Sequence, residues 1–474
     1  MHALNDFRRR VLPFPDAPPV SPETARWPGP VTIAVATAVI YTICNAPIDK
    51  VTALLDAHRW WSGRIAPPNV PLDEFVRFFI VPLKALLFAV ALVCLLVPII
   101  RGIARGVRTI DGATLRRSVK LSLILLAVCW ALCWPYHRTF WAVGNWGMYF
   151  AWMSEDPFNE PHNYFHRRLL KPALAYFLQL HGPLLYWLFS MLCAAVLSFL
   201  IVLYFEVALV RRRDDGAARA IDRPDPLIRA LAALGVMTTN VIMLHLAAPG
   251  YVDDMLAILV MLQILLPLTL RERLCLLALA MATHEAAAVF SLGPLVLVLF
   301  PNWRQRFAGW FVMGVFFVFW LASYGMNLPA AFGVHTQFEK TDTFQVFTTH
   351  PRMVAFGVFM AHKFFWLVFL AAILWLIARR QWIWAAVLAA CTLTPLATMP
   401  IATDTSRLVG VGFAGILFSI VLLLPELRAT GQRLFALVCL FSILVPYFPS
   451  GGAWIELPAG GYYKAFYMYV RGWF

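Results

Sequence analysis

Apolar runs and short polar segments alternate along nearly the whole chain. Runs with the length and composition of membrane-crossing helices fall at 30–46, 77–100, 119–136, 183–210, 228–247, 254–270, 307–325, 354–378, 382–399, 408–425 and 434–448. A hydrocarbon layer about 30 Å thick takes about 20 helical residues to cross. The stretch 273–301 is different: it starts beside Arg271 and Arg273, ends beside Arg304 and Arg306, and carries His284 and Glu285 in its middle. Charge at that depth is costly, so the pattern predicts two short helices turning at His284–Glu285. The reading is all-α: a polytopic integral membrane protein of about 11–13 transmembrane helices.

Composition agrees. Of 474 residues, 61% are hydrophobic and 14% charged, where a soluble domain carries about 25% charged residues. A net charge of +14 could suggest nucleic acid, but Lys and Arg sit in short blocks between apolar runs, the footprint of cytoplasmic loops, and no nucleic-acid partner is expected. The blocks at Arg8–Arg10, Arg101–Arg117, Arg211–Arg223, Arg271–Arg273, Arg304–Arg306, Arg379–Arg380 and Arg428–Arg433 all land inside when crossings are counted from a cytoplasmic N-terminus. Segments 47–76, 137–182, 248–253, 326–353, 400–407 and 449–474 then face the opposite side. Trp60, Trp61, Trp141, Trp146, Trp152, Trp454 and Trp473 fit an aromatic belt there. The eight cysteines lie in or beside apolar runs without metal-type spacing and read as buried small hydrophobes.

The densest chemistry lies in 137–182. Glu155, Asp156 and Glu160 stand near His162, His166, Arg167, Arg168 and Lys171, and 168–181 has the spacing of a helix lying along the membrane interface. Carboxylates here could draw a proton from an acceptor hydroxyl while the cations hold a lipid-linked phosphate leaving group. The same charges could also pair with one another and with lipid headgroups.

Tyr149–Met153, Glu155-Asp156-Pro157 and Phe165–Ala175 together resemble the first external loop of bacterial GT-C glycosyltransferases, with their "YR-L-P-LA" element. Leu277 to Pro294, centred on Thr283-His284-Glu285, resembles the "(T)(K/R)E … P" hairpin of that group, with His284 where Lys or Arg is usual. Gly250-Tyr251-Val252-Asp253-Asp254 looks like the second external turn, and Thr403–Arg407 resembles a D-x-x-R element. The resemblance covers roughly 119–425. It departs where an early Asp is common, since Asn145 or Trp146 stands there, and in an extra pair of spans ahead of the core.

The resemblance implies four parts: a cytoplasmic tail 1–29, an extra two-span unit 30–118, a GT-C-like transmembrane core 119–425, and a last span with a periplasmic tail, 426–474. It implies a glycosyltransferase of the inner (plasma) membrane that moves a sugar from a polyprenyl-phosphate-linked donor to a periplasmic glycan or lipid acceptor. Asp156 or Glu155 would be the general base. Arg167, Arg168 and Arg407 would hold the departing phosphate, as bidentate guanidinium groups do. Lys171 belongs to the same cationic set, and His284 and Glu285 would order the cavity or bind sugar hydroxyls. Asp253 and Asp404 are substrate-binding candidates that could equally serve as a helix cap and as a salt-bridge partner of Arg407.

Asp49 and Asp56 offer a second possible catalytic carboxylate. His245 and His362 read as satisfied core residues, and Lys363 as a snorkelling side chain. There is no metal motif; Glu155 and Asp156 could help hold Mg²⁺ or Mn²⁺, but hard cations want more oxygens than these supply. A lipid-linked glycan transporter or flippase, and a polysaccharide polymerase or ligase, are the alternatives.

Overall fold

A computed structural model describes residues 2–14, 28–44, 52–53, 72–133, 146–159, 168–211, 224–319, 350–398 and 405–448, and among them every regular element is helical. The N-terminal helix α1 (His2–Val11) is followed by α2 (Pro28–Cys44), α3 (Leu72–Arg108) and α4 (Gly112–Cys133). Short helices α5 (Trp146–Met153) and α6 (Leu170–Phe177) precede the long α7 (Pro183–Arg211). Next come α8 (Pro226–Met237), α9 (Asn240–Ala247), α10 (Asp253–Leu265), α11 (Leu270–Thr283), α12 (Glu285–Leu299) and α13 (303–319). The last part holds α14 (Pro351–His362), α15 (Phe365–Ala378), α16 (Trp382–Leu393), α17 (Thr405–Gly410), α18 (Phe413–Leu423) and α19 (Ala429–Leu444).

Two helices, Val76–Arg108 within α3 and Pro183–Leu209 within α7, are each long and apolar enough to cross a membrane. Two bent pairs would add two more if each is one span: α8–α9, bent by 52°, and α14–α15, bent by 79°. The run 119–136 falls in α4, 22 residues long with Arg116, Arg117 and Lys120 in its first half, and several other runs give shorter helices. The run 254–270 yields α10, whose 13 residues reach about 20 Å, short of an apolar layer about 30 Å thick. The outer faces are apolar: Phe78, Leu86, Ile124, Leu374 and Leu444 are all more than half exposed. Such a surface is poorly suited to water and well suited to lipid.

The expected break falls at His284, between α11 and α12. Those two helices pack on each other, and α12 returns to contact α1. The interfacial helix expected over 168–181 is instead the shorter α6, with Leu170, Lys171, Pro172, Ala173 and Ala175 buried. It packs inward against α5 and α11 instead of lying on a surface. The pair α2–α3 rests directly on α11. Gly102 and Gly106, one turn apart on α3, allow that approach. A Cβ at Gly102 would come 2.8 Å from the Glu272 carboxylate, and one at Gly106 would come 2.9 Å from Leu266. This is the small-xxx-small logic of helix contact in membranes.

Contacts gather many of the basic blocks at one end of the bundle. Arg105 meets Glu272, Arg117 and Arg229 meet Glu206, and Arg10 and Arg379 meet Glu426. The Tyr204 hydroxyl donates to the Val11 carbonyl at 2.8 Å, tying α1 to that end of α7. Helices α7 and α10 both start at the opposite end, where the candidate residues meet. Seven of the eight cysteines are buried and all are free thiols; Cys94, on the outer face of α3, is the exposed one.

Candidate functional site

Stretches far apart in sequence meet where α10 begins. Asp253 and Asp254 form its first turn, where free backbone N–H groups and the positive end of the helix dipole favour carboxylates. The two neighbours turn into different surroundings. Asp254 is closed off: Lys171 Nζ donates to its Oδ2 at 2.6 Å and to the Tyr251 carbonyl at 2.6 Å, and the Met255 N–H donates to its Oδ1 at 2.6 Å. Both side chains of this ion pair are fully buried. Lys171 also stands 5.4 Å from the Tyr186 ring centroid, and the Tyr186 hydroxyl donates to the Gly250 carbonyl at 3.3 Å.

Asp253 is open. It is 5% exposed, yet neither carboxylate oxygen has a hydrogen-bond partner among the described residues. His284 Nε2 stands 3.8 Å from Oδ1 and Arg407 Nε 3.9 Å from Oδ2, both beyond hydrogen-bonding range. Arg407 comes from α17, with its guanidinium carbon 5.0 Å from the Tyr251 ring centroid, a cation–π contact. His284 sits in extended conformation at the α11–α12 break, and the fields of Arg168 and Arg407 both reach it. A buried carboxylate with unused lone pairs costs free energy. A ligand that donates hydrogen bonds would complete it.

The backbone that shapes this pocket depends on two glycines. Gly250 has φ of +104°, in the left-handed region, and a Cβ on it would come 2.9 Å from Gly147 Cα. A Cβ on Gly147 would in turn run into the Pro249 carbonyl. Helix α5 therefore lies flat on the 248–252 turn only because both positions lack a side chain. Further along, Ser154 Oγ accepts from the Gly182 N–H at 3.2 Å, tying the end of α5 to the start of α7.

Of the residues singled out on sequence, Lys171, Asp253, His284 and Arg407 converge, and Arg168 is buried with its charge reaching His284. Glu155 and Asp156 lie exposed on the turn after α5. Asp156 accepts from Asn159 Nδ2 at 2.6 Å, and Asn159 Oδ1 accepts from Arg77 at 3.4 Å, so the hydrogen bonds from Asp156 lead toward α3. Arg167 and Asp404 fall outside the described residues, as do Glu160, His162, His166, Asp49 and Asp56. Glu285 is described only as the first residue of α12. Among the described residues no group of three or more His, Cys, Asp or Glu is placed to hold a metal ion.

Three expectations change. Lys363 does not snorkel: it is buried and donates to the carbonyls of Ser442 at 3.0 Å and Val445 at 2.7 Å, a cation at the carbonyl end of α19. His362 packs edge-on against Trp366, with ring centroids 5.0 Å apart, but its Nε2 has no hydrogen-bond partner among the described residues. His245 Nδ1 is likewise unpartnered among them. Sequence reasoning also missed Tyr186, whose place in a continuous apolar helix gives no signal. Compared with protein-family models, curated proteins and solved structures, the chain matches none.

Proposed function

We propose that the chain is a GT-C-type glycosyltransferase of a bacterial inner membrane. It is polytopic, with a cytoplasmic N-terminus and about 11–13 spans, counting broken and short helices together. The Asp253 end of α10 faces the periplasm and takes a polyprenyl-phosphate-linked sugar as donor and a glycan or lipid hydroxyl as acceptor. The observation that carries this reading is the carboxylate of Asp253, without a hydrogen bond among the described residues, 3.8 Å from His284 and 3.9 Å from Arg407.

Sugar transfer needs an acceptor for one proton and a cradle for one leaving phosphate. The acceptor oxygen bonds to the anomeric carbon as the bond from that carbon to the phosphate oxygen breaks. The hydroxyl proton passes to Asp253, and the lipid phosphate leaves with the bonding electron pair, held by Arg407 and Arg168. Asp156 and Glu155 are the alternative base. Membrane lipids bathe the apolar faces, and a Mg²⁺ or Mn²⁺ requirement is a separate question for the same assay.

The test is transfer of labelled sugar from polyprenyl phosphate by the purified full chain in liposomes. Asp253→Asn should lose about 10²–10⁴-fold in rate, the usual contribution of a general base, while Asp156→Asn stays within about threefold. The reverse result moves the base to Asp156. No transfer by the wild-type chain from any donor in a panel of lipid-linked sugars overturns the reading.

One observation favours the transporter alternative. The bent pairs α8–α9 and α14–α15 break beside each other: Thr238 Oγ1 and Lys363 Nζ both donate to the Ser442 carbonyl, at 3.4 and 3.0 Å. Broken helices that meet are a recurrent feature of transporter sites. Counter-flow of labelled lipid-linked glycan without sugar transfer would select that reading, and product analysis would separate a polymerase or ligase.

A further inference from the structure

Two bends of the chain are tied to one carbonyl. Lys363, between α14 and α15, has φ of +48° and ends the first helix of the pair bent by 79°. Thr238, between α8 and α9, ends the first helix of the pair bent by 52°. Both donate to the Ser442 carbonyl near the end of α19, Lys363 Nζ at 3.0 Å and Thr238 Oγ1 at 3.4 Å. The sequence sets that carbonyl aside: its helical donor would be the N–H of residue 446, and Pro446 has none. Gly235 lets the helices come this close, since a Cβ there would stand 2.8 Å from the Phe365 ring of α15 and 3.4 Å from Cys439 of α19.

The carbonyl ends of three helices meet here, because α8, α14 and α19 all finish at this junction. Each such end carries about half a negative charge. Lys363 is 1% exposed, bonds the carbonyls of Ser442 and Val445, and forms no ion pair with a carboxylate among the described residues. Carbonyl oxygens at negative helix ends, with no formal anion beside them, suit one positive charge. Membrane bundles bind monovalent cations through oxygens of this kind, at the carbonyl ends of broken helices. We propose that the junction is a monovalent-cation site whose resident cation is the protein's own Lys363 ammonium. A tethered ammonium, unlike a free ion, is not lost by dilution, so both bends stay fastened whatever salt is present. The proposal is independent of the glycosyltransferase reading.

Melting of the full chain in detergent tests it, in chlorides of sodium, potassium, methylammonium and choline at equal ionic strength. Each variant is read against wild type in the same salt. Lys363→Ala removes the resident cation and leaves its space, so it should melt earliest in choline chloride, whose cation is too bulky to enter. At least one of sodium, potassium and methylammonium should raise its melting temperature by about 2–4 °C, and saturably, as a bound ligand does. Lys363→Met removes the same charge but fills the space, and no salt should help it more than choline does. Rescue of Lys363→Ala by all four salts alike, equal rescue of Lys363→Met, or no rescue by any salt would overturn the proposal. Should Lys363→Ala fail to fold in choline chloride, the readout becomes the recovery of monodisperse protein extracted in each salt. Higher recovery with a small cation than with choline supports the site, and equal recovery in all four defeats it.

Discussion

The two ends of the bundle hold similar charges in different states of completion. At the basic end, Glu206 is flanked by Arg229 at 3.2 Å and Arg117 at 3.7 Å. Glu272 accepts from Arg105 at 2.6 Å and from the Thr269 N–H at 2.8 Å, and Arg273 donates to the carbonyls of Leu268 and Gln263. The two carboxylates are fastened, and their work is to hold helices together. At the opposite end Asp254 is as fully bonded as Glu272, yet Asp253 beside it has no hydrogen bond among the described residues. Burial and charge are alike in the two neighbours. What separates a structural carboxylate from one kept for a ligand is whether its lone pairs are already used.

The largest effect expected from that contrast concerns Lys171. Lys171→Met strands Asp254 as a fully buried charge, and breaking such a pair costs about 3–5 kcal/mol. Lys171→Met combined with Asp254→Leu should recover most of it, since an apolar pair of similar volume is often neutral. Asp253→Asn should cost less than Lys171→Met, because it breaks no direct hydrogen bond and the Asp253–Arg407 ion pair is long, at 3.9 Å. Thermal unfolding in detergent followed by tryptophan fluorescence reads all three. If Asp253→Asn melts as early as Lys171→Met, Asp253 is structural and the distinction between the neighbours fails.

Much of this architecture is written in the sequence, but not the contrast itself. Helix α7 runs over nearly the expected 183–210, and the break at His284 follows from the cost of polar groups at that depth. Asp253, His284 and Arg407 each stand in a segment singled out on the sequence, though motifs carry no distances. The different fates of Asp253 and Asp254 cannot be read from a dipeptide. Successive residues on a helix point about 100° apart, and which one meets Lys171 is decided by how α6 packs. The breaks at Thr238–Thr239 and Lys363–Phe364 were hidden for a different reason. No proline or glycine marks either one, and the second depends on Lys363 adopting φ of +48° while its ammonium bonds carbonyls of α19.

At the basic end a smaller effect is expected. Arg105→Ala removes one of two groups holding the Glu272 carboxylate, and the Arg105 side chain is 41% exposed. The capping box of Thr269 and Glu272 remains in place. The loss should be about 1 kcal/mol or less, and it should shrink further in high salt, as surface ion pairs do. A salt-insensitive loss as large as that of Lys171→Met would mean that the two ends are built alike.

The smallest effect belongs to the turn between α3 and α4, where Asp111 caps α4. Its Oδ1 accepts from the N–H groups of Thr114 at 2.8 Å and Ala113 at 3.0 Å. The Thr114 side chain first, then the Thr114 and Ala113 N–H groups and the charge of Arg117, hold its carboxyl below the ordinary value of 3.8. The folded state thus binds the Asp111 proton less readily than the unfolded chain does. The ionised cap stabilises fully above the unfolded value, fades as pH falls through the folded one, and adds nothing once both states are protonated. The melting gap between wild type and Asp111→Ala should be constant from about pH 7 to about pH 5 and narrow below about pH 4. Tyr204→Phe, which removes a hydroxyl bond to the Val11 carbonyl and involves no carboxylate, serves as the reference for general acid weakening. A gap for Asp111→Ala that stays constant into strong acid would show that the cap works through the shape of the turn alone, with no part played by its charge.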